Sequence, residues 1–352
     1  MKSCCLVTGG AGFIGCASAP LLLERYKHVV ALDILHPQVH RQRHRPVRLP
    51  PDVDLVVADV TEESSWERFL DNYTPSVILH LAAETGTAQS LQEASRHAKV
   101  NVVGLTSLLD ALSKRGQKPE QIVLTSSRAV YGEGAWQSQE SSKTFYPGQR
   151  DSTMLTQGKW DFEAAMALPS EAGVTQPNPI SVYGVTKLTQ EQILRCWGKA
   201  LDVPVSILRL QNVYGPGQSL TNSYTGIVSL FAQIARKGNP IPLYEDGQMR
   251  RDFVFIDDVA RAIVQALEVP PRSERTVDIG SGESTTLSAL ASLIAKVYRA
   301  PDPYVTGEYR KGDVRHASCS GDKAKIELKY QPRFKLEEGI RNLCSWIDEV
   351  LN

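Results

Sequence analysis

No stretch of this 352-residue chain reaches the run of about 18 apolar residues that a membrane-crossing helix requires, so no transmembrane segment is predicted. A secretory leader is not expected either, because a glycine-rich motif begins at Gly9, where a leader would place its apolar region. Excess charge is lacking: 39 Lys and Arg balance 39 Asp and Glu, so neither nucleic acid nor a membrane surface is expected as a partner. Cysteine is sparse and unpatterned. The six residues, at positions 4, 5, 16, 196, 319 and 344, form no C-x-x-C pair and no metal-ligand spacing, which predicts buried thiols in a reducing cytoplasm and no metal. Internal repeats are missing too. What remains is an ordinary globular composition, 42% hydrophobic and 22% charged, long enough for one large domain or two coupled ones.

The most informative residues present are Cys4-Cys5-Leu6-Val7-Thr8-Gly9-Gly10-Ala11-Gly12-Phe13-Ile14-Gly15, an apolar run, then glycines, then a helical pattern. In a dinucleotide-binding turn Gly9 permits the tight bend, Gly12 lets the backbone approach a pyrophosphate, and Gly15 lets helix and strand pack closely. The helix N-terminus then offers free N–H groups, those of Phe13 and Ile14 among them, to the phosphates. Short apolar runs at 3–8, 29–33, 55–59, 77–81, 121–125 and 205–210 alternate with helical patterns near 14–26, 62–72, 89–114 and 183–201. That alternation predicts an α/β fold, a Rossmann-type doubly wound parallel sheet with its ligand crevice at the strand C-termini. Residues 1–210 are expected to form this dinucleotide-binding domain. Residues 211–352, with helices near 257–268 and 286–299, are expected to form mainly a smaller C-terminal substrate-binding subdomain, some segments returning to the first. Residues 134–179, rich in Ser, Gln, Gly and Pro, read as an insertion or long loop.

Asp33 follows the glycine turn by about twenty residues, where a carboxylate accepts hydrogen bonds from the adenosine ribose and repels a 2′-phosphate, favouring NAD. A turn-capping Asp is the other reading. Asp59 and Val60 could hold the adenine edge, or Asp59 could simply form a turn. The basic stretch from His40 through Arg41, Gln42 and Arg45 to Arg48 reads first as a solvated loop, and second as a phosphate or partner patch. Tyr183 and Lys187 lie four apart on a predicted helix and share a face. An ammonium beside a phenol favours the phenolate and suits it to act as a base, and the lysine can also hold ribose hydroxyls. Ser127, after an apolar strand, could bond the reacting oxygen.

In these motifs the chain resembles the extended short-chain dehydrogenase/reductases, specifically the nucleotide-sugar epimerase/dehydratase family, over nearly its whole length. Residues 8–15, Leu81-Ala82-Ala83, Asn101, Ser126 to Gly132, Tyr183 to Lys187, Arg209 to Pro216 and Arg251 to Asp258 carry the resemblance. It implies that Tyr183 is the base, Lys187 its partner and Ser127 the hydroxyl on the sugar oxygen. Leu81, Ala82, Ala83 and Asn101 would lie on the cofactor; Arg128, Asn212, Arg251 and Arg310 would lie on the substrate, the last two as a diphosphate clamp. Dehydratases of the family place Asp-Glu directly after the active Ser/Thr, whereas Arg128 and Ala129 stand here, so dehydration is not expected. Epimerisation at C4 through a transient 4-keto sugar is, for surface polysaccharide precursors. Around residues 32–40, 126–134 and 211–220 the chain is similar to bacterial epimerases assigned to dTDP-L-rhamnose 4-epimerisation. A 4-keto-sugar reductase using NAD(P)H is the enzyme alternative, and a silent NAD-sensing protein the non-enzymatic one. The family also implies a homodimer through the helices near 89–114 and 183–201.

Overall fold

Strands that are apolar on both faces need helices on both sides, and the chain supplies them. The computed structural model describes residues 2–40, 43–221 and 226–351. Seven strands, β1 (Lys2–Thr8), β2 (Tyr26–Asp33), β3 (Asp54–Val57), β4 (Val77–His80), β5 (Gln121–Ser127), β6 (Val205–Leu210) and β7 (Glu274–Ile279), form one wholly parallel sheet. Their spatial order is β3, β2, β1, β4, β5, β6, β7, so the winding reverses between β1 and β4 and opens a crevice there. Along β1 the side chains alternate: Cys5 and Val7 join one core, Cys4 and Leu6 the other. Helices α1 (Phe13–Leu23) and α6 (Ile256–Glu268) cover the first face; α2 (Glu63–Asn72), α3 (Gly104–Lys114) and α4 (Val182–Leu201) cover the second. A third core, around Phe231, Leu290 and Leu343, joins α5 (Ile227–Arg236), α7 (Leu287–Tyr298) and α8 (Leu336–Leu351) beyond the crevice.

The structure departs from the sequence-based expectations in three places. β7 is one of the C-terminal segments that return to the first domain, but the sequence does not mark it as a strand, because Arg275 and Asp278 interrupt its apolar run. Both are buried and partnered: Arg275 donates to Ser206 Oγ and to the Ala266 and Val269 carbonyls, and Asp278 accepts from Tyr131. The helical pattern near 89–114 resolves into Thr87–Gln92, Ala94–Ala98, a π-helical turn Lys99–Val103 and α3. Residues 134–179 are more ordered than a long loop. They form an antiparallel sheet of Thr144–Phe145, Trp136–Ser138 and Ala165–Ala167 and a short helix Ser152–Thr156. A buried ion network ties them to the C-terminal part: Arg150 pairs with Glu133 (3.2 Å) and Glu245 (2.8 Å), and Arg315 pairs with Glu245 (2.9 Å), Asp246 (2.7 Å) and Asp161 (2.9 Å).

Candidate active site

Two cavities of about 350 and 590 Å³ meet over Gly9, Gly12, Leu81 and Ala83 at the C-terminal edge of the sheet. The turn between β1 and α1 is shaped by what it leaves out. Gly9 has φ +66°, and a Cβ there would meet the Ala82 nitrogen at 2.8 Å; a Cβ on Gly15 would meet the Gly10 carbonyl oxygen at 2.4 Å. Gly12 caps α1 without a side-chain bond, and no acidic residue occupies the first turn, so the helix start with Phe13 and Ile14 faces the larger cavity. Asp33 ends β2 on the wall of the smaller cavity, where its carboxylate accepts from Ala11 N (3.0 Å) and Leu35 N (2.8 Å). Each oxygen keeps a lone pair for a ribose hydroxyl. Asp59 lies beyond the end of β3 and both lines this cavity and accepts from Thr61 N (2.8 Å), so it is also the turn former. Val60 and Ala82 complete the wall. A backbone held this bare, with a carboxylate at the ribose position, fits NAD.

The larger cavity receives the chemistry. Ser181 caps α4 by accepting from Gly184 N (3.0 Å), which sets Tyr183 in the first turn, and β5 delivers Ser127 to the same place. The Ser127 hydroxyl hydrogen-bonds the Tyr183 phenol. Burial holds that phenol above its usual pKa, while the Ser127 bond and the Arg128 charge work against the rise. The cation acting on Tyr183 is thus Arg128. Lys187 instead donates to Gln190 Oε1 (2.5 Å), and burial pushes its ammonium down to about 7, with Glu191 opposing. Arg128 donates through Nε to Asn212 Oδ1 (2.7 Å), and its terminal NH2 groups make no hydrogen bond among the described residues. Burial first, and the nearby Arg251 charge second, push its guanidinium down to about 9. Arg48, Arg128 and Lys187 line this cavity, and among the described lining residues there is no Asp or Glu. Such a cavity attracts an anionic ligand and offers no carboxyl acid.

Not every expected residue arrives. Asn101 is buried away from both cavities: its amide bonds the Glu84 backbone (2.8 and 3.1 Å) and Thr186 Oγ1 (2.9 Å), bracing the loop after β4 against α4. Arg251 sits behind Arg128 with its guanidinium spent on the Arg250, Val314 and Arg315 carbonyls (2.7 to 3.1 Å). Arg310 is exposed, stacked over the Tyr244 ring at 5.0 Å, and outside the lining of either cavity. The described part of the basic stretch is mostly exposed, as a solvated loop would be, and its end, Arg48, also lines the larger cavity beside Gly217; Arg41 and Gln42 of that stretch lie outside the described residues. Among the described residues no group of three or more His, Cys, Asp or Glu could hold a metal ion, and no helix is long and apolar enough to cross a membrane.

Comparison with known proteins agrees with this geometry. The profile of the NAD dependent epimerase/dehydratase family matches residues 5–151 and 163–280. A dTDP-L-rhamnose 4-epimerase from Burkholderia thailandensis is 55% identical over 347 residues, spanning 99% of this chain and 95% of that protein. A UDP-glucose 4-epimerase from Mycolicibacterium smegmatis is 30% identical across 95% of both. Among solved structures, a UDP-glucose 4-epimerase from Thermotoga maritima with UDP-glucose superposes with a TM-score of 0.81 at 29% identity, covering 99% of this chain and 100% of that one. The Thermus thermophilus UDP-glucose 4-epimerase in complex with NAD superposes with a TM-score of 0.77 at 26% identity, over 98% and 99%.

Proposed function

The chain belongs to the NAD dependent epimerase/dehydratase family and is an NAD-using nucleotide-sugar 4-epimerase; we propose that dTDP-L-rhamnose is its substrate. The 55% identical relative of that name supports the choice, and a cavity lined by Arg48, Arg128 and Lys187 with no carboxylate suits a nucleotide diphosphate. That lining is the observation that carries the mechanism. Eliminating water from a sugar needs a carboxyl acid beside the reacting carbon, and Arg128 and Ala129 stand where one would be.

In this reading Tyr183 takes the C4 hydroxyl proton, and Ser127 holds the same oxygen as it becomes a carbonyl. NAD, when bound, would supply a hydride acceptor for C4 and the donor for its return. Lys187 binds the nicotinamide ribose, while Gly9, Gly12, Gly15 and Asp33 hold the rest of the cofactor. Arg128 and Asn212 hold the sugar-diphosphate, with Arg251 fixing the segment behind them. Arg310 joins the clamp only by leaving Tyr244. A product without deuterium at C4, formed from dTDP-L-rhamnose in D2O with no added cofactor, is the expected proton NMR result. Turnover only with NADPH and a 4-keto sugar would make the protein a reductase, which the Asp33 carboxylate opposes.

The reading extends to a cytoplasmic homodimer feeding surface polysaccharide synthesis. Leu91, Val103 and Val185, exposed on Thr87–Gln92, the π-helical turn and α4, are the apolar residues it would cover. A monomeric mass in solution would refute the dimer.

A further inference from the structure

A line of hydrogen bonds runs from the cavity into the sheet. Lys187 Nζ donates to Gln190 Oε1 (2.5 Å), Gln190 Nε2 meets His80 Nε2 (3.3 Å), and His80 Nδ1 meets Thr8 Oγ1 (2.9 Å). Thr8 Oγ1 in turn accepts from Ala82 N (3.2 Å) at the wall of the smaller cavity. All four side chains are at most 2% exposed. The pairing of β1 with β4 sets Thr8 directly beside His80, and α4 crosses over them.

Donor chemistry gives every link one direction. An ammonium has only donors, so the Gln190 oxygen must face it and the amide NH2 must face His80. His80 Nε2 is therefore an acceptor, and its proton sits on Nδ1, donated to Thr8. This requires a neutral imidazole, and burial, with the Lys187 charge adding to it, pushes His80 down to about 3. With His80 in place, a flipped amide would set NH2 against the ammonium and an oxygen against a lone pair. The orientation of Gln190 is thus decided from both ends.

We propose that Gln190, held by His80 and Thr8, is a positioning residue of the reaction: its oxygen favours the charged form of Lys187 in a buried place and aims its remaining donors at the cofactor. The proposal rests on the placement of Lys187 against the nicotinamide ribose. Other titratable groups near Lys187 do not replace this contact. Glu191, next on α4, favours the ammonium, but its carboxylate is taken by Arg209 (2.7 and 2.9 Å) and Ser126 (2.6 Å). Tyr183 is occupied by Ser127, and His80, from β4, is neutral. Among the described residues Gln190 Oε1 is the one hydrogen-bond acceptor of Lys187.

The test compares Gln190→Leu, Gln190→Glu and wild type as full-length proteins. NAD binding to cofactor-depleted protein is measured by calorimetry across pH, and kcat is measured across the same range. Loss of the oxygen should move the midpoint of the binding profile down by about one pH unit, and an added carboxylate should move it up by about as much. The alkaline limb of kcat should move with it. Midpoints that stay put in both variants, or shift the same way in both, overturn the proposal by reducing Gln190 to packing. If the Leu variant does not fold, the upward shift in the Glu variant decides alone. Because binding is read without sugar, a wild-type protein with no epimerase turnover would sink the epimerisation reading and leave this test intact.

Discussion

Tyr183 and Lys187 stand one turn apart on α4, yet burial drives them in opposite directions, the phenol up and the ammonium down to about 7. A base that must give up a proton in such a place needs a cation at hand, and Arg128 is the one whose charge reaches it. Tyr183→Phe should abolish epimerisation and leave NAD bound; retained turnover would remove the residue from the role of base. Arg128→Met should lower kcat/KM for the nucleotide sugar by about ten- to hundredfold, the range for losing charge-assisted bonds. Steady-state kinetics with product read by NMR would show it, and an unaltered kcat/KM would return Arg128 to a purely structural position beside Asn212.

At the scale of elements, the segment 134–179 is held by buried charges, with Arg150 inside it and Glu133 at its start meeting Glu245 and Arg315 from the C-terminal part of the chain. Glu133, Arg150, Glu245 and Arg315 have side chains at most 2% exposed, so each depends on its partners for the solvation it has lost. Arg150→Met would leave Glu133 without its guanidinium partner and Glu245 with Arg315 alone. A loss of about 3–5 kcal/mol in stability is expected, the usual cost of breaking a buried pair from one side. It should appear as a lower thermal midpoint and as early subtilisin cleavage within 134–179. Equal protection of that segment in variant and wild type would contradict the assigned role of the network.

For the whole molecule, Asp278 and Lys187 act on the dependence of stability on pH with opposite signs. Burial raises the Asp278 carboxyl to about 7, although Tyr131 and Ala172 N donate to it. Below that value the folded state keeps a proton that the unfolded chain releases near its ordinary value of about 4, so this group costs stability as pH rises from 4 to 7. Lys187 has the opposite sign: above 7 the folded state has lost a proton that the unfolded chain keeps to about 10, so stability returns as pH rises further. Asp278→Asn should therefore gain on wild type in melting temperature between pH 5 and 8, in cofactor-depleted protein. A difference independent of pH would show that Asp278 is ionised throughout.

The dinucleotide turn and the Tyr183 and Lys187 pair were legible in the sequence because each is local: a positive φ at Gly9, a close approach at Gly15, and one helical turn are written in contiguous residues. The parallel sheet was legible for the same reason, except β7, whose Arg275 and Asp278 conceal an apolar strand until their buried partners are in view. Pairings across the chain were not. Gln190 meets a histidine 110 residues away only because β4 lies beside β1 under α4. Asn101 becomes a brace, Arg48 reaches the cavity, and Arg310 stays over Tyr244 for reasons that only the packing of separate elements contains. Spacing along the chain determined which groups could do chemistry; the order of the strands decided which neighbours set their charge and direction, since those neighbours come from other turns of the fold.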